Sequence, residues 1–368
     1  MDNLTNVLII AGEISGDNLA SGLVNALLEI SPSISFWGIG GKLLKESGVE
    51  ILHDNNQMAV MGFVELFSHY KKIKSIRNSI IREAKRRKPR IAILVDYPGF
   101  NLSLAPHLKD MGIKVIYYVC PQVWAWGYNR VNKLREYTDC VIPLLPFEID
   151  LLHREGIKAK YFGHPLVEMV TQKIDTDTFK RNLSIEKPYI LLLPGSRKQE
   201  IYYTLNRMLE GYKLIRDKYD IKGLIVSTSK LDEDISLPSG VKVIDGPCYS
   251  ALYSAQAAVV ASGSASTECA LAGLPSIVVY KGNPLSYIFL RKMAKVKYIS
   301  LTNILLDSQV FPELIQNEFT PENILSNYQI IMDKSEEIKT ELAKVREILY
   351  KPDPFKNTAE YIYKEYLS

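Results

Sequence analysis

Along the chain, short apolar runs alternate with amphipathic stretches. The runs fall at 7–11, 91–95, 115–119, 141–145, 189–193, 224–226, 257–261 and 276–280, each of strand length and several rich in Val and Ile. Between them lie stretches of helix length, such as 17–30, 73–87, 203–218 and 264–272. Strands that are apolar throughout belong to parallel sheets covered on both faces, and the helices between them are the crossovers. The pattern therefore predicts an α/β fold. It breaks near 165–187, where His164 and Pro165 give way to a polar stretch carrying Asp175, Asp177, Lys180, Arg181 and Asn182 ahead of Pro188. It then restarts, because 7–12 and 190–195 both read as an apolar strand closing on a glycine before a helix. Two similar doubly wound, Rossmann-like parallel-sheet domains are expected, at 1–168 and 169–335. A helical segment at 336–368, broken at Pro352 and Pro354, packs on a domain already built, the first being the expected partner.

The 368 residues suit two domains at roughly 150 residues each, and 47% hydrophobic with 23% charged residues is an ordinary globular balance. A net charge of +4 is too small to make the whole chain a nucleic-acid binder. Cys120, Cys140, Cys248 and Cys269 are far apart and form no C-x-x-C pair, so they predict neither a zinc site nor a disulfide framework, and a reducing compartment fits. The first residues lack the basic start and cleavage site of a signal peptide, and no apolar run reaches about 18 residues. A membrane role would be played from the surface.

In open α/β sheets ligands bind beyond the carboxyl ends of the strands, and the notable motifs sit there. Gly12, Glu13, Ser15, Gly16 and Asp17 follow the first run. They fail the G-x-G-x-x-G dinucleotide fingerprint and read either as a ligand turn or as a plain turn with an Asp17 helix cap. Gly38, Gly40 and Gly41 before Lys42 lack P-loop spacing. Gly195, Ser196 and Arg197 stand between a buried strand and a helix, and offer close backbone approach, donors and a fixed positive fork, parts that suit a diphosphate. The other reading is a helix cap with an exposed arginine. Ser262, Gly263, Ser264, Ala265 and Ser266 open another helix with small residues, leaving its first N–H groups for an anion, with Glu268 one turn inside for ribose hydroxyls. Ordinary capping is the competing account. Asp96 directly follows the run 91–95 and projects from a strand end, either as a general base or as a loop anchor.

These motifs resemble the lipid-A-disaccharide synthase family of inverting GT-B glycosyltransferases. The resemblance runs nearly end to end. It includes the turn 11–17, Ala59 to Glu65, Val95 to Asn101 and Pro121 to Trp126. It continues through Leu145 to Glu148, Gly163 to Pro165, Leu193 to Arg197 with Glu200, Ser262 to Glu268, Ser300 to Asn303 and Pro312 to Leu314. Gly99 stands where many relatives carry a second aspartate, Cys120 replaces a usual serine and Thr302 a usual proline, and Ser264 and Thr267 vary the common Ser-Gly-Thr-Ala-x-Leu-Glu form.

The resemblance implies two domains facing a central cleft, the first taking acceptor and membrane, the second the UDP-sugar. It implies transfer of 2,3-diacylglucosamine from UDP-2,3-diacylglucosamine to 2,3-diacylglucosamine 1-phosphate. The products are the β-1,6-linked disaccharide 1-phosphate and UDP. No metal and no cofactor are implied, the nucleotide sugar being a substrate. Asp96 aligns with the family's essential aspartate, with Glu13 and His164 as fallback bases. Ser15, Gly16, Asp17, Trp124 and Asn303 are expected near donor or acceptor; Trp124 and Trp126 read equally well as packing residues. Upstream of a densely basic stretch with Lys71, Lys72, Lys74 and Arg77 lie Met58, Val60, Met61, Phe63 and Val64, an apolar patch. Such a pairing suits an anionic membrane, or else a solvated helix over a core-facing run. The expected location is peripheral, on the cytoplasmic face of the inner membrane of a lipid-A-making bacterium. A homodimer is compatible with the sequence, and nucleic acid is not an expected partner. Competing readings are another GT-B enzyme, such as a UDP-N-acetylglucosamine 2-epimerase, and a non-catalytic UDP-sugar-binding membrane scaffold.

Overall fold

The computed structural model describes residues 5–58, 66–171, 175–228, 231, 235–246, 248–284, 287, 291 and 296–368, with the side chains of 66–70 left out. The chain divides into two compact units, Met1–Pro165 with Lys351–Ser368, and Leu166–Tyr350. The division thus falls a few residues before the expected 168. The helical segment expected at 336–368 is split: helix Ser335–Leu349 belongs to the second unit, and only the chain from Lys351 counts with the first.

The first unit holds strands β1 Thr5–Ala11, β2 Ile34–Gly40, β3 Glu50–Asp54, β4 Ile91–Val95, β5 Lys114–Tyr118 and β6 Cys140–Ile142. They form a parallel sheet in the order β3-β2-β1-β4-β5-β6. The second unit holds β7 Tyr189–Leu193, β8 Lys222–Ser227, β9 Val241–Asp245, β10 Ala257–Ala261, β11 Ser276–Tyr280 and β12 Glu313–Ile315. Their order, β9-β8-β7-β10-β11-β12, repeats that of the first sheet. Each sheet is doubly wound, with its switch point between the first and fourth strands, β1/β4 and β7/β10. There the connections leave for opposite faces and the strand ends open a crevice.

The four central strands β1, β4, β7 and β10 are apolar because both faces are covered: Val7 to Ala11, Ile91 to Val95 and Ala257 to Val260 are buried without exception. Strands β3 and β9 lie at sheet edges and are largely exposed or half-buried. They carry no continuous apolar run, which hides them from the hydrophobic pattern.

Within the first unit, helix Pro354–Ile362 packs on helix Ile14–Ile30. Gly22 makes room for the Phe355 ring, whose Cζ lies 2.3 Å from where a Cβ on Gly22 would stand. Arg90, just before β4, donates from Nη1 to the Leu367 carbonyl at 2.9 Å and ties down the end of this return. Gly22→Val should therefore displace Phe355 and destabilise the first unit by about 1–3 kcal/mol, read as a lower urea midpoint. An unchanged midpoint would show that the return is not held by this contact.

Candidate active site

In the first sheet Ala11 pairs in register with Val95, so Glu13 and Asp96 emerge beyond neighbouring strands at the switch point. The backbone at Asp96 is unusual. Asp96 and Tyr97 both have φ of 45°, in the left-handed region that non-glycine residues avoid. Each such residue costs about 1–3 kcal/mol unless its surroundings impose it. Here they do. The Asp96 carbonyl accepts from Tyr117 Oη at 2.6 Å and from Asn101 Nδ2 at 2.7 Å, and its N–H donates to the Tyr118 carbonyl at 3.0 Å. Asn101 Nδ2 also reaches the Val95 carbonyl at 3.1 Å. The Tyr97 hydroxyl donates to the Met58 carbonyl at 2.9 Å. Its ring lies over Gly12, where a Cβ would stand 2.6 Å from Tyr97 Cδ1. Gly12 is thus explained by Tyr97 and not by a ligand.

Two strand ends further along, the chain after β6 brings a buried carboxyl to the same rim. Glu148 is 2% exposed. Its Oε1 accepts from Trp124 Nε1 at 2.9 Å and its Oε2 from the Leu145 N–H at 3.2 Å. Trp124 meets Phe147 edge to face, ring centres 5.1 Å apart. Burial pushes the Glu148 carboxyl up to about 8, opposed by the Trp124 and backbone hydrogen bonds and reinforced by the Asp96 charge.

In the second sheet Leu193 pairs with Val260, so the turns after β7 and β10 stand side by side at that switch point. Glu200 occupies the first turn. Its Oε2 accepts from the N–H groups of Ser196 at 3.1 Å and Arg197 at 3.3 Å, and its Oε1 meets Arg197 Nη1 at 3.2 Å. Gly195, with φ of 111°, leaves the space in which Glu200 Oε2 lies 2.6 Å from where a Cβ would stand. The backbone donors assigned from sequence to a ligand are therefore spent on a carboxylate at the helix start. The turn after β10 is more open. Gly263 and Ser264 are exposed, and no hydrogen bond among the described residues covers the Ser264 and Ala265 amides at the head of helix Ser264–Leu271. Ser266 Oγ turns back to the Gly263 carbonyl at 2.7 Å and Ser262 Oγ to the Ile299 carbonyl at 3.1 Å. Burial pushes the Glu268 carboxyl up to about 7.

Comparison with known proteins agrees with this arrangement. A family model described as lipid-A-disaccharide synthetase matches residues 7–365. The lipid-A-disaccharide synthase of Syntrophus aciditrophicus is 38% identical over 359 residues, covering 94% of each chain. That of Myxococcus xanthus is 39% identical over 333 residues, covering 88% of this chain and 87% of its own. The chain belongs to the lipid-A-disaccharide synthase family. Among solved structures, UDP-GlcNAc 2-epimerase from Neisseria meningitidis bound to UDP-GlcNAc aligns with a TM-score of 0.65 at 13% identity, over 98% of this chain and 99% of that one. Acinetobacter baumannii MurG aligns with a TM-score of 0.56 at 15% identity, over the same shares. At such identities these likenesses speak for the fold, which is GT-B.

Several residues that the family resemblance put near substrate are occupied otherwise. Asp17 is 4% exposed, and its oxygens accept from the N–H groups of Gly41 at 2.6 Å and Leu43 at 3.0 Å. It fixes the glycine-rich turn before helix Lys42–Glu46, which accounts for Gly41 as well; burial, outweighing these bonds, raises its carboxyl. Asn303 is fully buried and uses its entire amide. Its Nδ2 donates to the Phe311 carbonyl at 2.8 Å and Glu313 Oε1 at 2.9 Å, while Oδ1 accepts from Val310 at 3.0 Å and Phe311 at 2.9 Å. Glu313, which it holds, accepts from the Ile299 N–H at 2.9 Å and so braces the segment whose carbonyl takes Ser262, and Asn303 has no capacity left for substrate. Ser15 is exposed at the start of helix Ile14–Ile30, Gly16 is buried against Val95, and Glu13 is half-buried one residue before that helix. His164 is 5% exposed, and burial pulls it down to about 4, a poor match for a base at neutral pH.

Of the lipid-facing set, Val60, Met61, Phe63 and Val64 lie outside the described residues. Met58 is fully buried among core residues and is no surface contact. Helix Leu66–Arg87 buries Ile76, Ile80 and Ala84 and leaves Lys71, Lys72 and Lys74 exposed, with Arg77 half-buried. Its far end is neutralised, since Glu83 accepts from Arg86 and Arg87, and Glu50 also pairs with Arg87. No helix among the described residues is long and apolar enough to cross a membrane.

Glu148 was visible in the family motif but had no role until its burial was known. Its folded value near 8 lies above the usual 4.5. The carboxyl therefore contributes stability in full below its unfolded value and loses that contribution as pH rises to about 8. Glu148→Gln should gain stability relative to the parent protein from pH 5 to pH 8. Tryptophan emission should titrate with a midpoint near 8 in the parent and lose that step in the variant. Emission that is flat from pH 6 to pH 10 in the parent would contradict this assignment.

Proposed function

We propose that this protein transfers 2,3-diacylglucosamine from UDP-2,3-diacylglucosamine to the 6-hydroxyl of 2,3-diacylglucosamine 1-phosphate. The product is the β-1,6-linked disaccharide 1-phosphate, and the nucleotide sugar is consumed as a substrate with no resident cofactor. The observation that carries this reading is the Asp96 carboxylate, held by an imposed backbone at the first switch point of a chain matching its family over residues 7–365. The acceptor oxygen attacks the anomeric carbon, its proton passes to Asp96, and the carbon–oxygen bond to the diphosphate breaks, its electron pair leaving with UDP. A sugar hydroxyl is a weak acid, so the proton moves late, as the new bond forms. The departing diphosphate suits the uncovered helix start at Ser264 and Ala265, with Arg197 supplying positive charge. The backbone donors of the Gly195 turn join them only if Glu200 yields.

The epimerase reading is not favoured, since the likeness to epimerase structures is at 11–14% identity and the family match is to the synthase. The exposed Lys71, Lys72 and Lys74 support attachment to an anionic membrane, on the cytoplasmic face where acylated sugars of this kind would be met.

Asp96→Asn should bind donor normally and lose disaccharide formation by at least ~100-fold, followed by mass spectrometry of the product from defined acylated donor and acceptor. Near-normal turnover would remove Asp96 from the mechanism. Changing Lys71, Lys72 and Lys74 together to Gln should weaken binding to anionic vesicles by about 10-fold or more at low salt, with no change on zwitterionic vesicles. Equal binding of variant and parent to the anionic vesicles would rule these lysines out.

A further inference from the structure

The loop after β5 carries a cation that the reaction as written does not use. Arg130 opens helix Arg130–Tyr137, and its guanidinium lies over the Trp126 ring, 3.9 Å from the ring centre. Gly127, at φ of 67°, lets it settle there, since a Cβ at that position would stand 3.3 Å from Arg130 Cζ. Arg130 is half-buried, and desolvation lowers it from its ordinary value. Among the described residues its guanidinium makes no ion pair. From Met111 to Arg135 the chain contains no Asp or Glu, and the nearby Arg135 is already taken by Glu155 at 2.6 Å. A partly desolvated charge with an aromatic ring on one face and no counter-ion is costly to keep, and its donor edge is fitted to an oxyanion. Its place on the rim follows from the sheet, where Val95 pairs in register with Tyr118, so that the chains leaving β4 and β5 start side by side. The Tyr117 side chain, whose hydroxyl holds the Asp96 carbonyl, feels both the Asp96 charge and the Arg130 charge.

We propose that Arg130, seated on Trp126, is the subsite for the 1-phosphate of the acceptor sugar. This rests on the transferase reading above and deepens it. In the acceptor the 1-phosphate is on C1 and the 6-hydroxyl on the exocyclic carbon attached to C5, so both groups hang from the two carbons that flank the ring oxygen, and one sugar presents its hydroxyl to Asp96 and its phosphomonoester to the guanidinium. A guanidinium forks onto phosphate with two charge-assisted hydrogen bonds, which a lysine ammonium does not reproduce.

The test compares Arg130→Gln and Arg130→Lys with the parent on two acceptors, 2,3-diacylglucosamine 1-phosphate and the neutral methyl glycoside of the same sugar. Arg130→Gln should raise KM for the phosphorylated acceptor by about 10–100-fold, leave KM for the UDP-sugar unchanged, and leave the weaker reaction of the methyl glycoside as it was. Arg130→Lys should fall between. Lys133→Gln, which removes an exposed neighbouring charge, should behave as the parent. A raised donor KM instead would assign Arg130 to the diphosphate, and weaker vesicle binding with acceptor KM intact would assign it to lipid headgroups; either result overturns the proposal. Direct titration with the phosphorylated sugar gives a readout that needs no turnover. If the parent binds it, Arg130→Gln does not, and neither makes disaccharide, the subsite stands and the transferase reading falls. If disaccharide forms and the variant keeps the parent's preference for the phosphorylated acceptor, the reading stands and the subsite falls.

Discussion

The carbonyl oxygen of Asp96 accepts two hydrogen bonds, from Tyr117 Oη and Asn101 Nδ2, and those bonds make a left-handed backbone tolerable at two successive non-glycine residues. Without them, Asp96 and Tyr97 would relax toward ordinary backbone angles and the carboxylate would change direction. The donors come from β5 and from helix Pro98–Asp110, both packed into the core, so the strain is balanced by the body of the sheet. Gly12 belongs to the same device, because only a residue without a side chain admits the Tyr97 ring. The local chain is thus arranged around one carboxylate, and the cost of holding it there is met by packing that any doubly wound sheet provides.

The wider frame was legible in the sequence for a physical reason. Strands covered on both faces must be apolar at every position, so β1, β4, β7 and β10 stood out as runs, and these strands define the two switch points. The edge strands β3 and β9 did not, because a strand half in water has no need of continuous apolar residues. Both candidate seats therefore fell where the runs ended, and the family motifs located them.

Which polar residues face a ligand was far less legible. Asp17, Asn303 and Glu200 all sit in family motifs beside glycines or small residues, and composition alone makes each look like a contact. Their hydrogen-bonding capacity tells otherwise. Asp17 is turned onto two backbone amides, Asn303 has all four positions of its amide used, and Glu200 is turned onto two amides and a guanidinium. The partners of Asp17 lie 24 and 26 positions away and those of Asn303 7 to 10, so a motif a few residues long does not reveal them. A motif residue whose lone pairs and protons are already spent shapes the site without touching what binds there.

The same accounting explains how the rim of the first sheet divides its charges. Asp96 and Glu148 are two carboxyls two strand ends apart on the same rim, and holding both as anions with Glu148 buried would be costly. Burial resolves this by pushing Glu148 up to about 8, so that near neutral pH it is largely uncharged while still accepting from Trp124 and Leu145. The proposed base, Asp96, then faces a largely uncharged neighbour, and the Tyr117 side chain that holds its carbonyl feels both the Asp96 and the Arg130 charge. In the proposed reaction one negative group takes a proton and one positive group holds an anion, which suits a small acceptor carrying both a hydroxyl and a phosphate. For the proposed mechanism the buried glutamate matters because its proton keeps the base from competing with a second negative charge.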